Sequence, residues 1–192
     1  LKLEESVDFE ERINIIRNME SMIRMPRPLV QLFLIKLDVH FIVAKILLGE
    51  ANSQTSRTNR LAYLSEELNI ASFDFIGELI KQNKRCLSMF EIQLGEHNLN
   101  LILDLALDQV INSNLFLRSV MISILFFYDH TNDLEFIQNS VICSRILNST
   151  EKITERLLGE IKGQAMTPNN KSTVITCIMT AYMLRHLKME DQ

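Results

Sequence analysis

The stretch "NSNLFLRSVMISILFF", Asn112 to Phe127, decides what kind of fold this chain adopts. Three small polar residues lead into an almost unbroken apolar run that carries a single arginine, Arg118. A membrane-spanning helix needs about 20 consecutive apolar residues. The run from Leu115 to Phe127 is shorter, holds a charge and is followed by "YDHTND", so it reads as a buried helix with a polar start. In that reading the side chain of Asn112, Ser113 or Asn114 accepts from the free amides of the first helical turn. Arg118, one turn in, reaches neighbouring carbonyls or an acidic partner in the next structural unit.

The rest of the chain extends this pattern. Gly and Pro are scarce, and no alternating strand pattern persists, so the sequence predicts eight or nine helices joined by short turns. "PRP" at Pro26 to Pro28 stops one helix and starts another. "TND" before Leu134, with Glu135 three residues after Asn132, reads as a capping box. "NST" before Glu151 caps a further helix, and the segments 49–59 and 162–172 read as loops. Apolar residues recur at helical spacing: Leu61, Leu64 and Leu68; Phe73, Ile76 and Ile80; Ile153, Leu157 and Ile161.

Comparison of the chain with itself gives the architecture. "FIVAKILLGE", "LNLILDLALDQ" and, more weakly, "EKITERLLGEI" are leucine-striped helices, each followed by a polar break and another apolar helix. The later two units are spaced by about 57 residues, in the range of stretched helical repeats. The expectation is an all-α fold, an armadillo/HEAT-like α-solenoid of about three repeats, spanning 1–192 as a single armadillo-like helical domain. Residues 1–25 and 49–59 fit it least well. Asn114 and Arg118 are structural residues of the repeat, and the third unit has Thr173 near the place of the arginine.

Composition narrows the function. At 192 residues and 47% hydrophobic, the chain can bury a core as one domain or as a short stack. Twenty Lys and Arg against 24 Asp and Glu leave a net charge of −4, unsuited to charge-driven nucleic-acid binding. The short basic clusters, Lys81 to Arg85 and the pair Arg24 and Arg27, read as solvated helix ends. Cys86, Cys143 and Cys177 lie far apart without a CxxC pair, which suggests neither zinc nor a disulfide framework and fits a reducing, cytoplasmic compartment. The chain opens "LKLEESVDFEER", with no initiator methionine or signal segment, and reads as a piece of a longer protein.

Catalytic signals are absent from the sequence. His40, His97, His130 and His186 are isolated, with no HExxH motif, no metal-ligand spacing and no glycine-rich phosphate loop. No catalytic, cofactor-binding or metal-binding residue is expected, and the chain reads as a non-enzyme. His40 and His97 read as turn or cap residues, Gly77 as a point of close helix packing, and Glu66, Glu67, Asp74 and Glu78 as a solvated acidic helix face.

Several segments resemble one family in order and spacing. They are "SFDFIGELIKQN" from Ser72 to Asn83, Phe90 with the leucine-rich helix after it, "VINSNLFLRSVMISILFF", "VICSRILNS" and "NNKSTVITCIMTAYMLRHL"; "LVQLFLIKLDVHFIVAKIL" precedes them. Over roughly Pro28 to Leu187 the chain resembles the carboxyl-terminal part of the short transient receptor potential channel 4-associated protein (TRUSS) family. The resemblance implies a non-enzymatic substrate-recognition subunit of a cullin-RING ubiquitin ligase, with a cullin adaptor and degradation substrates as partners. Receptor or calcium-channel tails are further implied partners, which would bring the chain near a membrane without inserting it. A scaffold in receptor or calcium-channel signalling without a ligase role is the alternative. On the inward helix of such a stack, Asp74 and Glu78 lie one turn apart and are the candidates for a peptide groove that holds an arginine-bearing tail.

Overall fold

A computed structural model of the chain describes residues 8–52, 59–163 and 171–186, and its regular structure there is entirely helical. Ten helices follow one another: α1 Phe9–Ile23, α2 Pro28–Lys36, α3 Val39–Asn52, α4 Asn59–Ile80, α5 Lys84–Asp108, α6 Asn114–Thr131, α7 Leu134–Asn139, α8 Val141–Asn148, α9 Thr150–Gly163 and α10 Lys171–His186. No helix among the described residues is long and apolar enough to cross a membrane.

Local chemistry sets the boundaries. The Asp8 carboxylate accepts from the Glu10 amide at 3.1 Å and opens α1, whose first turn also carries Glu10 and Glu11 against the helix dipole. Pro28 takes the first position of α2, where its missing N–H costs nothing. Among the described residues, four with left-handed backbone punctuate the helices: Asp38 (φ 56) between α2 and α3, Gln82 (φ 52) after α4, Gly95 (φ 73) within α5, and Asn132 (φ 47) after α6. Gly95 splits α5 into two helical pieces, 84–94 and 96–108, with a conformation that a Cβ would strain.

These breaks divide the chain into a recurring order of short, medium and long helices. Helices α2, α3 and α4 have 9, 14 and 22 residues. The two pieces of α5 and the 18-residue α6 repeat the order, and α7, α8, α9 and α10 repeat it again with the first helix divided. In space the helices form two rows. One runs α1, α4, α6, α10, each packed on the next; the other runs from α2 and α3 through α5 to α8 and α9. Contacts of α3 with α4, α6 with α8, and α9 with α10 join the rows.

The core is continuous along both rows, with Phe73, Phe75, Phe90 and Phe116 fully buried. Burial of one such ring stabilises by roughly 1.5–3 kcal/mol. Gly77 permits the closest approach: a Cβ there would lie 2.8 Å from the Phe116 Cα. The Phe73 and Phe116 rings pack beside that contact with centroids 5.8 Å apart.

Several expectations are revised by this arrangement. The segment 59–80 is one 22-residue helix, packed on α1, α3 and α6. The expected loops are shorter: Gly49 to Asn52 belong to α3, and Lys162 and Gly163 to α9, while 53–58 and 164–170 lie outside the described residues. Asn132 is not the cap of α7; it ends α6, and the Asp133 carboxylate accepts from the Phe136 amide at 3.2 Å. Ser113 precedes α6 without capping it through its side chain, since its hydroxyl donates at 2.7 Å to the Ala106 carbonyl in the preceding helix. The side chains of Leu61 and Ile161 lie outside the described set, whereas Phe73, Ile76, Ile80, Ile153 and Leu157 are buried.

Candidate functional site

The densest polar cluster lies where α1 crosses α4. Glu20, Asp74 and Glu78 are all buried, and three cations face them. Arg17 of α1 pairs with Asp74 of α4 and, at 3.1 Å, with Glu20; Arg24 pairs with Glu20 at 3.0 Å. Lys81 donates to both Glu78 oxygens at 2.9 and 3.0 Å. A third helix joins in, because the Ser119 hydroxyl of α6 donates to Glu78 at 3.2 Å.

Amides carry the network to the second row. Gln31 of α2 donates to the carbonyls of Glu78 and Lys81 at 2.9 and 3.1 Å, closing the carboxyl end of α4. Asn83 donates to the Gln31 side-chain oxygen at 3.0 Å, and its own oxygen accepts from the Cys86 amide at 3.1 Å to cap α5. The Gln82 amide donates to Ser123 Oγ at 2.9 Å. Five helices thus meet through one chain of polar contacts.

The candidate groove residues lie at its centre. Asp74 and Glu78 share a face of α4, as expected from their spacing, but that face is covered. The reading of these two as a solvated acidic surface is corrected: Asp74 is 8% and Glu78 is 2% exposed, while Glu66 remains exposed. The reason is tertiary, since α1 and α6 close over the side chains that helical spacing alone leaves facing solvent. An arginine does sit on Asp74, and it is Arg17 of the same chain. Burial raises the Asp74 pKa to about 6, with Arg17 working against that shift.

Of the two residues expected to be structural, Asn114 lies at the next seam of the first row. Asn114 is buried and its side-chain oxygen accepts from the Thr176 hydroxyl of α10, with a longer 3.5 Å contact from its amide to Thr173. Arg118 is half-buried in the first turns of the same helix. The residue offered as a helix cap is therefore a link between neighbouring helices.

Sequence reasoning missed Arg17, Glu20, Gln31 and Glu91. Glu91 of α5 accepts from the Ser140 hydroxyl at 2.7 Å and the Ile142 amide at 2.9 Å, fixing the start of α8, and burial raises its pKa. Arg17 and Asp74 lie 57 residues apart, so no signal local to either residue could have found the pair.

Other features weigh less. His40 is not a cap; its ring is fully buried against Phe90, neither nitrogen has a hydrogen-bond partner, and burial lowers its pKa. An open cleft of about 290 Å³ lies between the end of α5 and α9, but Arg156 in it donates to the Leu107 and Asp108 carbonyls at 2.7 Å. Among the described residues no group of three or more His, Cys, Asp or Glu is placed to hold a metal ion. Apolar side chains are exposed in succession around the α1–α2 corner: Met22, Met25, Leu29, Phe33 and Leu37.

A protein-family model described as "Protein of unknown function (DUF3689)" matches residues 1–189. The chain belongs to this family. No curated protein and no solved structure matches it. Membership extends over both rows of helices, including the Arg17, Asp74 and Glu78 cluster and the Asn114 seam.

Proposed function

We propose that the chain is a stretch of armadillo/HEAT-like α-solenoid that works as a non-enzymatic protein-binding scaffold. The resemblance to the TRUSS family extends the proposal: the scaffold serves as the substrate-recognition subunit of a cullin-RING ubiquitin ligase in the cytoplasm. One observation carries the solenoid part. The short, medium and long helices recur three times, and each helix of the first row packs on its neighbours in that row. Exposed apolar side chains at Leu29 (83%) and Phe33 (58%) supply a surface of the kind that protein partners cover.

Native affinity purification of the full-length protein followed by mass spectrometry tests the ligase part. Recovery of a cullin and its adaptor is the expected result; their absence, with other proteins bound, leaves the signalling scaffold without a ligase role. Phe33→Asp, a change at an exposed position, is expected to release part of the bound set. The arginine-tail groove has its own test: Asp74→Lys with Glu78→Lys, in a chain that still folds, must abolish binding of arginine-bearing peptides. Arg17 holds Asp74 in the structure, so such a peptide has to displace it.

A further inference from the structure

Helix α2 has two apolar faces, and only one of them is covered. Gln31, Leu34 and Ile35 are buried, and Gln31 reaches across to the carboxyl end of α4. The opposite face carries Leu29, Phe33 and, one residue past the helix, Leu37, all exposed and four residues apart. Side chains at that spacing form one ridge along a helix, the shape that fits the groove between the side-chain rows of a second helix. A face turned to water is ordinarily polar, so a ridge of three large apolar residues marks a surface that meets another molecule.

Charge says what that molecule carries. Arg27 precedes the first turn of α2 and Lys36 lies in its last, so a cation stands at each end of the ridge. Both are exposed, and neither has a carboxylate at ion-pair distance among the described residues. Arg24, before the corner, is held by Glu20 at 3.0 Å. From Asn18 to Leu37 that glutamate is the only acidic residue, and it is buried. The next exposed acid, Asp38, follows the last residue of the ridge. A chain with a net charge of −4 therefore presents this apolar ridge in a positive setting.

We propose that the outward face of α2 docks an amphipathic helix of another protein, one that lays an apolar stripe along Leu29, Phe33 and Leu37 and carries Asp or Glu on its flanks, opposite Arg27 and Lys36. The proposal rests on the reading of the chain as a protein-binding scaffold and names the chemistry of a partner. Apolar contact supplies the affinity, and the two cations select the sign of the partner. A membrane surface is the poorer match. Recognition of an anionic leaflet draws on clusters of about four to eight cations, whereas the ridge has two, on a chain whose net charge has the sign of the lipid.

Fluorescence anisotropy of the full-length protein with two labelled helical peptides tests it. Both peptides carry the same leucine stripe; one is flanked by Glu and the other by Lys. The Glu peptide is expected to bind more tightly by about tenfold or more. Arg27→Glu with Lys36→Glu should invert that preference, and Phe33→Asp should abolish binding of both, with the urea midpoint unchanged. A photo-crosslinker at residue 33 reads the site without altering its charge, and it should capture the Glu peptide on its leucine stripe. Equal affinity for the two peptides, or a preference that survives the charge reversal, overturns the proposal. Phe33-dependent binding to phosphatidylserine vesicles overturns it in favour of a membrane, and Phe33-dependent self-association in sedimentation overturns it in favour of a second copy. Native purification separates the two levels of failure. A bound set that Phe33→Asp leaves unchanged removes this surface alone, whereas no bound protein on the unaltered chain removes the scaffold reading.

Discussion

The α1–α4 and α6–α10 seams occupy equivalent places in one row of helices and are held by different physics. At α1–α4 three carboxylates and three cations are drawn together, two of the carboxylates almost wholly out of water. Between α6 and α10 the described polar contacts join one amide to two threonine hydroxyls. A buried ion pair gains Coulomb energy and loses hydration in similar measure, so its net contribution is small while the loss of one partner is costly. A neutral hydroxyl–amide contact is worth less to break and tolerates sliding.

The comparison is sharpened most by breaking one partner of the charged seam. Arg17→Met leaves Asp74 buried and unpaired, at an expected cost of about 2–3 kcal/mol at pH 8, below the usual ~3–5 for a fully buried pair because part of Arg17 meets solvent. Urea denaturation measures it, and the double variant Arg17→Met with Asp74→Leu should recover most of the loss. At pH 5 the penalty of the single variant should shrink, since Asp74 can take up a proton. Next in size is Gly77→Ala at the seam between the two: its Cβ meets the Phe116 backbone, and overpacking of this kind costs about 1–3 kcal/mol. That cost should not respond to salt or pH.

Thr176→Val should cost about 1 kcal/mol, the worth of one hydrogen bond, and leave the salt dependence of stability unchanged. If its effect equals that of Arg17→Met, the contrast between the seams fails. The pH profile tests the buried carboxylate of the charged seam by a second route. Asp74 has a folded pKa of about 6, raised above its ordinary 3.8, so the folded state binds its proton more tightly. Acidification from pH 7 toward 4 therefore adds stability through this group, and Asp74→Asn should remove that gain. His40 acts in the opposite sense. Its folded pKa is lowered below 6.5 by burial, so stability is lost as pH falls through 6.5, and His40→Leu should remove that loss.

Much of the frame was legible in the sequence. The all-helical character was legible, and the three leucine-striped stretches lie in α3, the second piece of α5 and α9. Gly77 was read as a close-packing glycine, and the structure puts the Phe116 backbone against it. The candidate site was legible only in part. Helical spacing put Asp74 and Glu78 on one face, but the same spacing fits a face in water and a face under α1. Nothing local to residues 72–83 distinguishes them. Asn114 shows the limit from the other side: a turn-type residue at a helix start suggests a cap, and the hydroxyls that claim it instead come from α10.

By itself the sequence determined the helical period, the order of helices and the absence of a spanning segment among the described ones, because each is a property of neighbouring residues. Tertiary structure decided which charges are buried, that Arg17 answers Asp74, and that Ile175 and Ile178 of α10 are exposed. The physical reason is distance along the chain. Burial and ion pairing depend on what another helix brings to a face, and here that helix is more than fifty residues away.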